Sequence, residues 1–326
     1  MRAVQFSDFG GPDVLRLVDA PVPNPGPGEV RVRLGACGVN PAETYIRSGT
    51  YTFYRPSLPH IPGFDGAGVI DAVGADVARL EVGARVFVGS ILAHRKTGTY
   101  AEYTVCDADA VHPLPDHLSV AEGAAIGVPG LTAYRALFQR GRLRPGETVL
   151  VHGGSGGVGT LAVQWARAHG ATVIGTASTP EGREVVLAAG AHVVLDHSKP
   201  DHLGELTELT GGLGVDLVVE MLADVNLVTD LEHLARFGRV VVVGSRGSLD
   251  FTPRLAMAAE ADVRGMALWN SRPHEWAEGL RAVAAGLESR ILRPVVGREM
   301  ALEEAARAHQ DVLQPGARGK LVLMIS

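Results

Sequence analysis

The sequence predicts an α/β protein: a β-rich N-terminal part, then a doubly wound parallel sheet. Short strand-like runs broken by glycine fill roughly the first 115 residues. The apolar period lengthens near Val120, and from Glu147 to Gly247 valine runs alternate with helical stretches. At 326 residues the chain is too long for one ordinary core, so two domains are expected.

In the first part, "EVRVRLGACGVN" alternates from Val30 to Leu34, and "GVIDAVG" and "ARVFVGS" are short apolar strands. "PVPNPGPGE" (Pro21 to Glu29) is a loop, because proline and glycine at this density cannot form a helix interior. The stretch around "IRSGT", flanked by Tyr45 and Tyr51, also reads as a loop. "SVAEGAAIGVPGLTAYRALFQRG" has helical spacing. Ser119 is its candidate N-cap, with Glu122 three residues on, as a capping box requires.

Next come the strands "ETVLVHGG", "ATVIGTAS", "HVVLDH", "VDLVVEML" and "RVVVVGSRG", with "VGTLAVQWARAHG", "GREVVLAAG" and "LVTDLEHLARFG" as helices between them. Continuous valine runs suit strands covered on both faces, and intervening helices imply right-handed crossovers. A helix from Pro273 to Gly286, "PVVGREM", a helix from Leu302 to Gln310 and a last strand "GKLVLMI" follow. The expected domains are 1–120 joined by the return segment 269–326, and 121–268 between them.

Composition narrows the function classes. The chain is 46% hydrophobic and 20% charged, and its net charge of −6 leaves no basic footprint for nucleic acid. Cys37 and Cys106 form no C-x-x-C pair, which excludes a disulfide scaffold and a cysteine-rich zinc site and fits a reducing cytosol. No apolar run of signal-peptide length opens the sequence, and no window approaches the roughly 20 apolar residues of a membrane span. A cytoplasmic protein is expected.

The strongest chemistry lies in "VLVHGGSGGVGTLAVQWARAHG". Gly154, Gly156 and Gly159 form G-x-G-x-x-G directly after a valine strand and directly before an amphipathic helix. There the glycines permit a tight turn, close approach to a pyrophosphate and close helix–strand packing, while the helix N-terminus offers free N–H groups. An NAD site places an acid about 20 residues on, at the end of the second strand. Here that place holds Ser178 and Thr179, with Arg183 nearby. Hydroxyls in place of a carboxylate favour NADPH over NADH.

Beyond these motifs, "FGGPDVL", "ACGVNPAETYIRSGTY", "IPGFDGAGVI", "GTYAEY", "GAAIGVPGLTAYRAL", the block from Gly146 to Arg167, "IGTAST", "EMLADVNL" and "VVVGSRG" together resemble one family over nearly the whole chain. It is the zinc-free quinone oxidoreductases, of zeta-crystallin type, of the medium-chain dehydrogenase/reductase superfamily. The resemblance implies a GroES-like catalytic domain, a Rossmann domain, and the nicotinamide in the cleft between them. It implies that Ser155, Gly156, Gly157 and Val158 hold the pyrophosphate, and that Ser178 and His197 lie near the adenosine ribose and 2′-phosphate. Relatives carry a lysine there at the place of Gly182. Asn226 and Val243, Gly244, Ser245 and Arg246 would line the far side of the cofactor. Tyr45 would reach it from the catalytic domain, and Thr132 would sit at the domain junction. Homodimers or homotetramers, built by extending Rossmann sheets edge to edge, are implied as well.

In zinc-dependent relatives the segment "IPGFDG" resembles "GHE", whose histidine ligates the metal. Here Phe64 takes that place and Asp65 the glutamate's, while Asn40 and Val128 stand at the other two ligand positions. A catalytic zinc needs three converging protein ligands, so no metal is expected. Asp65 is expected to be a structural carboxylate bonded to backbone N–H groups of the glycine turn. The candidate catalytic residues are Asn40, Tyr45 and Tyr51, with Asn40 or Tyr51 polarising a quinone carbonyl. The tyrosines serve equally as a flat pocket or as packing at a domain edge. His152 reads as a structural histidine, His197 as a cofactor contact or a surface residue, and Cys37 as a small buried hydrophobe. Two other functions fit the same sequence: an NADPH-dependent enone, alkenal or enoyl-thioester reductase, and an RNA-binding or structural crystallin-like protein.

Overall fold

The computed structural model describes residues 1–89 and 97–325. It divides into two compact units. One comprises Met1–Leu131, Leu280–Ser289 and Arg293–Ser326; the other comprises Thr132–Gly279 and Arg290–Leu292. Both principal breaks fall inside helices, later in the chain than residues 120 and 268.

In the first unit, β1 (Arg2–Gln5) pairs antiparallel with β2 (Arg16–Asp19). The long strand β3 (Glu29–Gly38) is followed by α1 (Pro41–Ser48), β4 (Asp65–Val73), β5 (Arg85–Gly89), β6 (Tyr103–Asp107), β7 (Val111–Pro113) and α2 (Val120–Ala124). Ser90, at the end of the expected strand "ARVFVGS", lies outside the described residues. The helix α3 (Gly127–Tyr134) runs across the break between the units. A seven-stranded sheet runs β14–β15–β3–β4–β5–β7, with β6 on β3; β14 is Val296–Ala301 and β15 Lys320–Met324. Alternation along β3 puts Val30, Val32 and Leu34 against Ile70, Val86 and Val88 in one apolar cluster. A second cluster gathers Phe6, Cys37, Val39, Tyr100 and Leu323. Each fully buried side chain of this size contributes about 1.5–3 kcal/mol.

The second unit holds a six-stranded, all-parallel sheet. Its strands are β8 (Thr148–Val151), β9 (Thr172–Ala177), β10 (Val193–Asp196), β11 (Val215–Glu220), β12 (Leu234–Val242) and β13 (Asp262–Gly265). The order β10–β9–β8–β11–β12–β13 is doubly wound. Helices α4 (Gly157–Ala168), α5 (Pro180–Ala188), α6 (Leu206–Leu209), α7 (Ala223–Glu232) and α8 (Pro253–Ala259) connect these strands. The remaining helices are α9 (Pro273–Glu288) and α10 (Ala305–Asp311). Val149, Val151, Val173, Leu217, Val219 and Val241 are fully buried, the expected state of a sheet covered on both faces. Arg239 points inward and donates to the carbonyls of Gly141, Arg142 and Asp216 and to both oxygens of Glu147.

Three local expectations are corrected. The segment around Tyr45 is a helix: Asn40 caps it, Pro41 fits the first helical position, and Glu43 completes a capping box. The expected helix "LVTDLEHLARFG" ends at Glu232, and Leu234–Gly238 belongs to β12. Leu234 is drawn into the sheet opposite Val215, with Phe237 at φ +63° where the register shifts. The stretch from Ser119 is not one helix but α2, α3 and a wider turn over Arg135–Arg140. The Ser119–Glu122 capping box is present with both reciprocal hydrogen bonds. Among the described residues no helix is long and apolar enough to cross a membrane.

Candidate functional site

The loop between β8 and α4 is built by backbone. Gly154 N–H donates to the Thr176 carbonyl (2.8 Å), and Gly153 N–H to Thr176 Oγ1 (3.1 Å), which ties the loop to β9. Gly159 has no room for a side chain: a Cβ there would stand 2.2 Å from the Gly153 carbonyl oxygen and 2.7 Å from Gly154 Cα. Gly156 is the reverse case. A Cβ there would meet only the Gly153 oxygen, at 3.4 Å, so its outer face is open. No side chain caps α4 at Gly156. Gly156, Gly157 and Val158 are partly exposed, Ser155 is buried beside them, and the first-turn N–H groups of a 12-residue helix lack intrahelical partners. An uncapped helix N-terminus over an open glycine fits a pyrophosphate.

Around the end of β9, Ser178 is partly exposed and Thr179 caps α5 by accepting from Gly182 N–H (3.0 Å). Arg183 is held on Asp196 (Nη1 to Oδ2, 2.9 Å). His197, exposed at the end of β10, lies 3.0 Å through Nδ1 from Thr176 Oγ1, the same hydroxyl that accepts from Gly153. The structure therefore brings Ser155 to Val158, Ser178 and His197 to one end of the sheet.

At the end of β11, Asn226 Nδ2 donates to Glu220 Oε1 (3.1 Å), and Val243 N–H donates to the Glu220 carbonyl (2.8 Å). Val243 and Gly244 are partly exposed. Ser245 Oγ and Arg246 N–H both donate to Asp224 Oδ1. Asn226, Val243 and Gly244 thus gather on a glutamate that sequence reasoning did not single out. Its signal was present, an acid closing the apolar run "LVVE". Thr132 is buried on α3.

In the first unit, Tyr45 lies partly exposed on α1. The chain turns back so that Tyr51 N–H donates to the Tyr45 carbonyl (3.2 Å), and the Tyr51 ring meets Phe53 edge-on at 5.4 Å. Asn40 is not grouped with them. It is buried, and its amide is fully used: Nδ2 donates to Glu43 Oε1 (3.0 Å) and Asp65 Oδ2 (2.9 Å), and Oδ1 accepts from Lys320 Nζ. Asp65 itself is completely buried, on Val128 N–H (2.5 Å), Asn40 and Lys320 (3.1 Å). This corrects the expectation that it bonds to the glycine turn, because Asp65 already belongs to β4 and points across to α3 and β15. The cation on this carboxylate is supplied by the chain as a lysine ammonium. Glu43 accepts from Asn40 N–H, Asn40 Nδ2, Phe64 N–H and Tyr100 OH, while burial pushes its carboxyl up to about 7. Burial also raises the Cys37 thiol well above its ordinary value.

Two family models match the chain: an alcohol dehydrogenase GroES-like domain over residues 26–116 and a zinc-binding dehydrogenase domain over residues 157–285. The chain is 46% identical to a quinone oxidoreductase of Homo sapiens, across 100% of this chain and 98% of that one. A quinone oxidoreductase of Escherichia coli solved with NADPH is 30% identical, covers 100% of both chains and superposes with a TM-score of 0.86. A mycobacterial protein solved with NADPH is 34% identical, with the same full coverage and a TM-score of 0.88.

Proposed function

The chain belongs to the zinc-free quinone oxidoreductases of the medium-chain dehydrogenase/reductase superfamily, and from that premise we propose that it reduces quinones with NADPH and without a metal. The observation that carries the proposal is the uncapped start of α4 over an open glycine, in a chain similar from end to end to quinone oxidoreductases. Bound NADPH supplies the reducing hydride; the protein supplies binding, orientation and exclusion of water. On this reading residues 121–268 bind the cofactor, and 1–120 with 269–326 form the catalytic domain.

Ser155, Gly156, Gly157 and Val158 hold the pyrophosphate by backbone N–H groups and the helix dipole. Ser178 and His197 face the 2′-phosphate, with Arg183 close by on Asp196 in place of the family's lysine. Asn226, Val243, Gly244, Ser245 and Arg246 line the other half of the cofactor, joined by Thr132. Tyr45 and Tyr51 offer ring faces for a flat acceptor, and the Tyr51 hydroxyl donates to the carbonyl oxygen that gains charge. Asn40, with its amide committed inside the protein, acts by holding the start of α1.

Steady-state NADPH oxidation with 1,2-naphthoquinone, 9,10-phenanthrenequinone, alkenals and crotonyl-CoA tests this directly. The quinones are expected to give the highest kcat/KM, and crotonyl-CoA as best substrate would replace the reading with an enoyl-thioester reductase. NADPH is expected to bind at least about tenfold tighter than NADH, a margin of roughly 1.4 kcal/mol; equal Kd values would refute the cofactor preference.

The protein further reads as a cytoplasmic homodimer or homotetramer. Among the described residues β13 pairs only with β12; it carries Val263 at 42% exposure, with Met257 at 72% and Phe251 at 42% nearby in sequence. An unpaired strand edge is a template for a second copy. Light scattering after gel filtration is expected to show an oligomer for the native chain and a monomer for Val263→Lys; a native monomer at micromolar concentration would contradict this.

A further inference from the structure

Beside Asn226, Val243 and Gly244 lies a buried cluster that the reaction does not use directly. Among the described residues, His152, Glu220 and Asp230 form the one group of potential metal ligands whose ligand atoms all lie within 4.8 Å of one another. His152 follows β8, Glu220 ends β11 and Asp230 lies in α7, and their exposures are 3%, 0% and 0%. His152 Nε2 is 2.7 Å from Asp230 Oδ1 and 3.3 Å from Glu220 Oε2. Ligands around a tetrahedral ion at about 2.0–2.1 Å stand about 3.3 Å apart. The shorter separation is a hydrogen bond, so protons rather than a metal join this cluster.

Glu220 divides its two oxygens between two tasks. Oε1 accepts from Leu222 N–H and from Asn226 Nδ2, which fixes the first turn of α7. Oε2 faces inward, and neither it nor Asp230 Oδ2 has any other hydrogen-bond partner. Glu220 and Asp230 stand within hydrogen-bonding reach of each other, and two buried carboxylates so placed share a proton rather than carry two charges. The Glu220 carbonyl meanwhile accepts from Val243 N–H and Gly244 N–H, and Ala223 N–H donates to the Gly244 carbonyl. One residue thus holds Asn226, Val243 and Gly244 together.

We propose that Glu220 is a positioning residue for the cofactor-lining residues Asn226, Val243 and Gly244, held in place by one buried proton that it donates to Asp230, which His152 orients from behind. This rests on the reading that Asn226, Val243 and Gly244 line the cofactor. Burial pushes both carboxyls up to about 7 and lowers His152, so the shared proton leaves near neutral pH while the histidine stays uncharged. Above that pH the hydrogen bond from Glu220 to Asp230 is lost, the two buried carboxylates repel, and the anchor of Asn226 loosens. The other titratable groups nearby are His202, whose ring is 6.4 Å from that of His152, and His197, 6.3 Å from His202; Asp224 faces Ser245 and Arg246 instead.

Fluorescence titration of NADPH and of NADH between pH 6 and pH 9 tests the proposal on wild type, Glu220→Gln, Glu220→Ala and Asn226→Ala. Because NADH lacks the 2′-phosphate, the effect must appear with both cofactors. Wild-type Kd is expected to rise about tenfold over this range, the equivalent of a one-unit pKa change on binding. Glu220→Gln, whose amide donates to Asp230 at every pH, is expected to flatten the profile, and Glu220→Ala to bind about tenfold more weakly throughout. A wild-type pH profile in Glu220→Gln would overturn the proposal, as would wild-type affinity in Glu220→Ala or stoichiometric zinc that the variants lose. If Asn226→Ala binds both cofactors like wild type, the reading of the cofactor site fails instead.

Discussion

Replacing Lys320 with methionine is expected to lower the stability of the protein by about 3–5 kcal/mol, although the substitution removes only one charge. The ammonium is 5% exposed and stands on a carboxylate, Asp65, that is completely buried. Without it, Asp65 keeps Val128 N–H and Asn40 Nδ2 as donors but carries an uncompensated charge in the interior, and Glu43 loses the cation that favours its ionised form. Asp65→Asn strands the lysine in the same way. The double variant Asp65→Asn/Lys320→Met leaves no unpaired charge and is expected to recover most of the loss, because replacing a buried pair costs far less than breaking one. Urea unfolding at pH 7 followed by circular dichroism measures all four proteins. Single variants within about 1 kcal/mol of wild type, or strictly additive losses in the double, would show that the pair is not what holds α1, α3 and β15 together.

What the sequence made legible was local. The β8–loop–α4 unit and the Ser119–Glu122 capping box are each written within a few residues, and a change from strand to helix period shows without any partner in view. The α1 helix carried the same kind of signal in Asn40, Pro41 and Glu43, and the loop reading passed over it. The clusters that organise the site were not legible, because they are made across the chain. Asn40 meets Lys320 across 280 residues, and His152 meets Asp230 across 78. Each of these residues, taken alone, is only a polar side chain near an apolar strand or helix. The over-long helix at "LVTDLEHLARFG" has the same origin. Leu231 and Leu234 continue an apolar helical spacing, yet pairing of Leu234 with Val215 decides its conformation.

The glycine loop yields the sharpest separation between folding and binding. Gly156→Val is expected to weaken NADPH binding by on the order of 100-fold while the unfolding midpoint stays near that of wild type. Gly156 has φ −79°, which any residue adopts, and a Cβ there would approach only the Gly153 oxygen at 3.4 Å. Among the described residues no other atom stands within 4 Å of that Cβ. The larger side chain would instead fill the space over the free N–H groups of α4, where hydrogen bonds to a charged phosphate are worth about 1.5–3 kcal/mol each. Gly159→Ala should behave differently, since its methyl would strike the Gly153 oxygen at 2.2 Å and Gly154 Cα at 2.7 Å, both backbone. That variant is expected to lose about 1–3 kcal/mol of stability along with cofactor binding, as overpacking at a close contact does. Isothermal titration with NADPH and thermal unfolding of the same preparations distinguish the two. Gly156→Val binding NADPH with wild-type Kd would mean that the pyrophosphate does not lie over this loop, and the cofactor assignment would fall with it.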